Sequence, residues 1–252
     1  MNFLKTIVVA SIAILGTTFA QAAGLEDMTL LERKAFRAEV RAYLLDNPEI
    51  ILEAIEVMEK RQAQIDAISE LDLVRDNFDE LTKDGYSWVG GNPDGAITVV
   101  EFSDYRCTFC KRAHSEVIAL LKNNNDVRLI LKEFPILGAD STLAAKAALS
   151  ILIKQGDEVY EAFNDLLMRN KGAVNIKTLS KFANRAGGDA DLMIEHMDDD
   201  VVLQIIASNH ALGRKMKITG TPSFVIGTEM LRGYMPVAGM QQYVDRARAR
   251  LN

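Results

Sequence analysis

Ile97-Thr98-Val99-Val100-Glu101-Phe102-Ser103-Asp104-Tyr105-Arg106-Cys107-Thr108-Phe109-Cys110 is the stretch on which the fold turns. Ile97 to Phe102 is β-branched and apolar and reads as a buried strand. From Cys107 to about Leu121 the pattern becomes helical, with Cys110, Ala113, Val117 and Leu121 on one face. Cys107 then falls at the helix N-terminus. Unpaired N–H groups and the macrodipole favour an anion there, which lowers a thiol's pKa. Cys110 lies one turn deeper, on the apolar face. The two sulfurs therefore have unequal roles: Cys107 attacks or forms a mixed disulfide, and Cys110 resolves it.

The chain has only two cysteines, three positions apart, in 252 residues. A bridge between them closes a tiny loop and constrains the unfolded chain little, so stapling is a weak explanation. Redox chemistry and metal binding remain. A tetrahedral structural zinc site needs four ligands. Only His114, His196 and His210 are left to complete one, and there is no second cysteine pair. Hydrophobic residues make up 48%, enough for a real core. The formal net charge of −6 argues against a general phosphate-binding surface, and no nucleic-acid partner is expected.

Two further features belong with the cysteine pair. In Gly220-Thr221-Pro222-Ser223-Phe224, a proline stands just before a strand, where it removes a backbone donor and can take the cis form. Such a loop can present the backbone of Thr221 to an extended substrate chain; the plainer alternative is an ordinary turn proline. Glu101 interrupts the apolar strand six residues before Cys107. Burial there raises a carboxylate's pKa and lets it relay a proton to or from Cys110. The alternative places Glu101 at the solvent-facing edge of the sheet. Lys132 and Glu133 close the neighbouring strand and are candidate partners of this acid. His114 reads as a surface helix residue.

Outward from this centre the pattern stays α/β. Val127-Arg128-Leu129-Ile130-Leu131 is a second strand, and a mostly helical insert covers about 139–217. Ser223–Gly227 and Met230–Gly233 are strands, and a final helix begins near Met240. Residues 1–22 have the form of a cleaved bacterial export signal: Lys5, an apolar run from Ile7 to Leu15, then Ala20-Gln21-Ala22. An uncleaved anchor is the alternative; the stretch is short for a span. Export predicts a periplasmic location, an oxidising compartment.

Residues 23–85 read as a helical arm. Thr29-Leu30-Leu31-Glu32 has capping-box spacing. Asn47 and Pro48 suit the N-cap and first position of a second helix. That helix carries Ile51, Ile55, Met58 and Ile65 as a stripe with coiled-coil spacing. The stripe either packs on the catalytic domain or lets residues 26–80 associate with further copies. Residues 86–95, rich in Gly, Asn and Pro, read as a linker to a catalytic domain over 96–252.

Taken together, Glu101 to Cys110, the helical insert and Gly220-Thr221-Pro222-Ser223-Phe224-Val225-Ile226-Gly227 resemble the DsbA-like branch of the thioredoxin superfamily. The resemblance covers about 95–252. It implies a thioredoxin fold with an inserted helical domain, Cys107 as nucleophile, Cys110 as resolving cysteine, Pro222 as cis-proline and Glu101 as buried acid. No cofactor is implied. The dipeptide between the cysteines is Thr108-Phe109 rather than the Pro-His of the strongly oxidising prototype, so the prototype's redox poise does not carry over. The arm, from Val40 to Ala54, is similar to that of the ScsC-like branch. Members of that branch can oligomerise through the arm, act as disulfide isomerases kept reduced by a membrane partner of the DsbD/ScsB type, and are linked to copper tolerance.

The leading expectation is therefore a periplasmic disulfide isomerase or reductase, homo-oligomeric through residues 26–80, acting on exported proteins with wrong bridges. A DsbA-like dithiol oxidase is one alternative. A copper-binding chaperone is another: thiolates suit Cu(I) and the ten methionines add soft donors, although no methionine cluster stands beside the CxxC.

Overall fold

A computed structural model describes residues 28–251. The export-signal reading of residues 1–22 lies outside the described residues. The chain divides between Arg61 and Gln62 into two compact units.

The N-terminal unit holds α1 (Leu30–Asp46) and the first turns of α2 (Glu49–Asp76). The capping box is present. The Thr29 hydroxyl accepts from the Glu32 amide at 3.3 Å, and the Glu32 carboxylate accepts from the Thr29 amide at 2.8 Å. Asn47 departs from the expectation. Its side-chain amide donates back to the Tyr43 carbonyl at 2.9 Å, so it caps the end of α1 instead of the start of α2. No residue of α1 is buried. Phe36, Val40, Tyr43, Ile51, Ile55 and Met58 are all exposed.

The larger unit is built on a five-stranded sheet: β1 (Trp88–Gly91), β2 (Ile97–Ser103), β3 (Val127–Glu133), β4 (Ser223–Ile226) and β5 (Glu229–Arg232), in the order β1-β3-β2-β4-β5. β2 and β3 are parallel; every other pairing is antiparallel. The parallel pair is joined by α4 (Thr108–Asn123), because parallel neighbours need a crossover. A helical insert of α5 (Ala139–Gln155), α6 (Asp157–Arg169), α7 (Ile176–Arg185), α8 (Ala190–His196) and α9 (Asp200–Lys215) separates β3 from β4, and α10 (Val237–Ala249) closes the chain.

The sheet is buried on both faces, and its period of two sorts the side chains. Ile97, Val99, Leu129 and Leu131 pack with Cys110, Ala113, Val117 and Leu120 of α4 and with Tyr160, Phe163 and Leu167 of α6. Val100, Phe102 and Ile130 face the other way, onto Val74 at the end of α2, Leu81 in the short α3 (Phe78–Thr82), and Phe134 and Leu212.

This second layer corrects the expected boundaries. Residues 62–85, assigned to the arm, belong to the larger unit, because Val74 and Leu81 are 1% and 0% exposed and complete one face of the sheet. The expected linker at 86–95 contains an edge strand, with Trp88 paired to Leu131. Its glycines serve close approach as well as turning. A Cβ on Gly90 would lie 2.2 Å from the Trp88 ring, and Gly91 has φ +69 with the Val127 carbonyl 2.6 Å from where a Cβ would stand.

Candidate active site

Cys107 is the N-cap of α4, with extended backbone (φ −75, ψ 119). Its sulfur accepts from the Cys110 amide at 3.4 Å, the place an N-cap oxygen ordinarily takes. The strand-to-helix turn before it is held by Asp104, itself 1% exposed. One carboxylate oxygen accepts from the Arg106 amide at 2.7 Å; the other accepts from the Ile136 and Leu137 amides at 2.8 and 3.1 Å. Asp104 thus ties the loop after β2 to the loop after β3, where parallel strands end together.

The Thr221–Pro222 peptide bond is cis. Thr221 leads into β4, which pairs with β2, and this brings its carbonyl to the sulfur: the Cys107 thiol donates to Thr221 O at 3.2 Å. Cys107 and Cys110 are both free thiols, 6% and 0% exposed. The Cys110 thiol is the largest influence holding Cys107 down, to a pKa of about 5; burial opposes this, and the Thr221 side chain and the helix-start amides assist. Burial pushes the Cys110 thiol far up, and its neighbours Cys107 and Glu101 push the same way.

Glu101 is buried on the α4 side of the sheet, 4% exposed. Burial raises its carboxyl to about 7, Ser103 lowers it in part, and the charge of Cys107 adds to the rise. It borders a cleft of about 400 Å³ between α4, α6 and the sheet, whose walls include Trp88, Leu131, His114 and Asp165. The acid therefore neighbours both cysteines on one side and an opening on the other.

The structure brings Cys107, Cys110, Thr221, Pro222 and Glu101 to one end of the sheet. It separates the two expected partners of Glu101. Lys132 is registered opposite Phe102, not Glu101, and faces the other layer. There its ammonium, fully buried, pairs with Asp84 and donates to the Glu80 carbonyl at 2.9 Å. Glu133 is on the Glu101 side, opposite Ser103, but is bound to tyrosines. Tyr105 and Tyr160 each donate to its Oε1 at 2.6 Å, and Asn164 donates to the Tyr105 oxygen at 3.0 Å. Burial raises the Glu133 carboxyl to about 8. Nothing in the linear sequence identified this cluster, because its members come from three separate segments. His114 meets Asp165 of α6 at 3.0 Å. Among the described residues no group of three or more His, Cys, Asp or Glu is arranged to hold a metal ion.

A buried cysteine at a helix start, facing a cis-proline loop in a sheet with a parallel β–α–β centre, has the geometry that thiol–disulfide exchange requires. The family model described as thioredoxin matches residues 83–246, and the chain belongs to that family. A second model, the N-terminal domain of the copper resistance protein ScsC, matches residues 32–64. Within the family the chain is similar to ScsC-type proteins, by that N-terminal match and by solved ScsC structures of 26–28% identity.

A thioredoxin-like oxidoreductase from Silicibacter pomeroyi DSS-3 is 39% identical, over 68% of this chain and 97% of that one, with a TM-score of 0.65. Proteus mirabilis ScsC in a transitional conformation is 28% identical over 88% of this chain and 100% of that one, with a TM-score of 0.66. The Na(+)/H(+) antiporter NhaA 1 of Salinispora arenicola is 26% identical over 63% of this chain. The match spans only 24% of that antiporter's length. No helix among the described residues is long and apolar enough to cross a membrane.

Proposed function

We propose that the chain catalyses thiol–disulfide exchange in the periplasm through Cys107 and Cys110, and that its main work is reducing or rearranging wrong bridges in exported proteins. The observation that carries this is the inequality of the two sulfurs. Cys107 is favoured as a thiolate at the helix start, with the Cys110 thiol the largest influence, while Cys110 is sealed beneath it and held protonated. The Cys107 thiolate attacks one sulfur of a client disulfide. A Cys107–client bond forms, the client S–S bond breaks, and the second client sulfur leaves as a thiolate that takes up a proton.

From the mixed disulfide two outcomes balance. A different client thiolate can displace Cys107, which returns as thiolate with a new client bridge: isomerisation. Alternatively Cys110 loses its proton and attacks Cys107, freeing a reduced client and leaving Cys107–Cys110 oxidised. Glu101, with its carboxyl near neutrality, is the group suited to take that proton. The oxidised pair then needs electrons from a membrane redox partner of the DsbD/ScsB type.

Isomerisation is supported by the N-terminal unit. Its exposed apolar residues suit association with further copies of the chain, and the ScsC N-terminal-domain match falls there. Light scattering on the full chain should give an oligomer that refolds a scrambled, fully bridged client. Removal of residues 23–61 should give a monomer that keeps dithiol exchange and loses refolding. A full-length monomer without refolding activity would sink this reading.

A second reading, net dithiol oxidation, has its own support. A thiolate stabilised to a pKa of about 5 favours the reduced enzyme, and this makes the bridged form more oxidising. A reduction potential near the thioredoxin value of about −270 mV would count against it.

A further inference from the structure

A second cleft, of about 680 Å³, lies between the start of α4 and the turn that follows α6. Its walls include Arg106, Lys111, Arg112, Arg169 and Lys171, and no carboxylate. This concentration of cations stands in a chain whose formal charge is −6. Arg106 immediately precedes Cys107, and Thr108, which also borders the cleft, immediately follows it. The residues on either side of Cys107 in the chain therefore both border the cleft.

The cations are held in place by contacts that leave much of their charge uncompensated. Lys111 donates to the Asn170 carbonyl, and Arg106 donates to the Gly172 carbonyl at 3.4 Å, so the start of α4 is tied to the turn after α6. Arg112 stacks over the Tyr234 ring at 4.5 Å. Arg106 has only a 3.8 Å approach to Asp140. Arg169 pairs with Asp165 at 2.8 Å, but that same oxygen also meets His114 at 3.0 Å. Burial and the neighbouring charge of Arg106 both pull the Lys111 ammonium down, while the charges of Asp104 and Cys107 oppose them. Crowding of like charges around a cleft without a carboxylate is the electrostatic pattern of a site complementary to an anionic partner.

We infer that this basic cleft docks acidic segments of client polypeptides, with carboxylate side chains flanking the cysteine or disulfide that reacts. The inference rests on Cys107 being the sulfur that meets the client, as proposed above. The cleft would act twice. Its cations hold the client carboxylates by charge-assisted hydrogen bonds. They also favour departure of the client sulfur as a thiolate when its S–S bond gives way to the new bond with Cys107. Phe109, 53% exposed in the same turn, offers an apolar contact to the chain between those carboxylates.

The experiment uses the full chain carrying Cys107→Ser, so that binding is read without covalent capture. The probes are a fluorescein-labelled glutamate-rich peptide with serine in place of its cysteine, and a lysine-rich counterpart. Anisotropy at low salt should show the glutamate peptide bound roughly tenfold more tightly, and the difference should shrink as salt is added. Arg169→Glu with Lys171→Glu should reverse the ranking; Arg169→Gln with Lys171→Gln should erase it with less risk to folding.

Equal binding of the two peptides, or a ranking that survives charge reversal, overturns the proposal. Tighter binding of a single-stranded oligonucleotide of equal charge overturns it too. Exchange with a small neutral disulfide, measured on the unsubstituted chain, tests Cys107 separately. A failure there would remove the thiol reading and leave the docking measurement to decide this one.

Discussion

Tyr105 donates its hydroxyl to the Glu133 carboxylate at 2.6 Å, two residues before Cys107, and Tyr160 of the helical insert donates to the same oxygen at the same distance. One buried acid thus joins the loop that aims Cys107, the end of a central strand and the first layer of the insert. A second link runs alongside, from the Asn209 amide on α9 to the Glu133 backbone carbonyl at 3.0 Å. The insert is therefore fastened to the site by hydrogen bonds as well as by the shared apolar core.

Sharing of one oxygen makes the two tyrosines interdependent. Tyr105→Phe and Tyr160→Phe should each cost about 1 kcal/mol of stability, and the double variant should depart from the sum. Glu133→Ala should cost more, about 2–4 kcal/mol, because it leaves two buried hydroxyls without an acceptor. Urea unfolding of the four proteins measures this; strict additivity would mean the tyrosines do not share the carboxylate.

The two buried acids also set a pH dependence. Folding raises Glu101 from 4.5 to about 7 and Glu133 from 4.5 to about 8. Between these values the unfolded chain has lost the proton that the folded chain keeps, so rising pH favours unfolding. Their contribution is fully present below pH ~4.5 and is lost as pH climbs through about 7 and about 8. Cys107, lowered from 9.0 to about 5, works in the opposite direction when reduced. In a Cys107→Ser background, stability should fall from pH ~5 to ~8, and Glu101→Gln and Glu133→Gln should each flatten part of that slope. A slope unchanged by both substitutions would show that neither acid titrates in the window.

The Cys110 thiol is the largest influence on Cys107. Cys110→Ala should therefore raise the Cys107 pKa above about 5 while leaving the start of α4 intact. Thiolate absorbance against pH, with iodoacetamide rates as a second readout, checks the shift. An unmoved titration would assign the stabilisation to the helix start and Thr221 instead.

The same Cys110→Ala variant should accumulate mixed disulfides on Cys107 in cells, since the resolving sulfur is gone. Mass spectrometry of the trapped species names clients and redox partner together. Equal trapping by Cys107→Ala would reverse the two roles.

Much of the site was legible because it depends on local order. A strand, a cysteine at a helix start and a second cysteine one turn on follow one another within Ile97–Cys110, and backbone periodicity and helix-end electrostatics need no distant partner. The capping box at Thr29 and Glu32 was readable for the same reason. What remained hidden depends on which segments meet. In a strand buried on both faces, alternation cannot say which layer a polar residue joins. Lys132 therefore looked as close to Glu101 as Glu133 did, until the register put it opposite Phe102 and beside Asp84. Trp88–Gly91 looked like a turn because its strand exists only through pairing with Leu131 to Arg128. Cys107 and Cys110 were unequal on paper by their places along one helix. Only the tertiary structure supplied the Thr221 carbonyl and the tyrosine-bound Glu133 behind the loop, because those contacts cross gaps of 27 to 114 residues that no local rule spans.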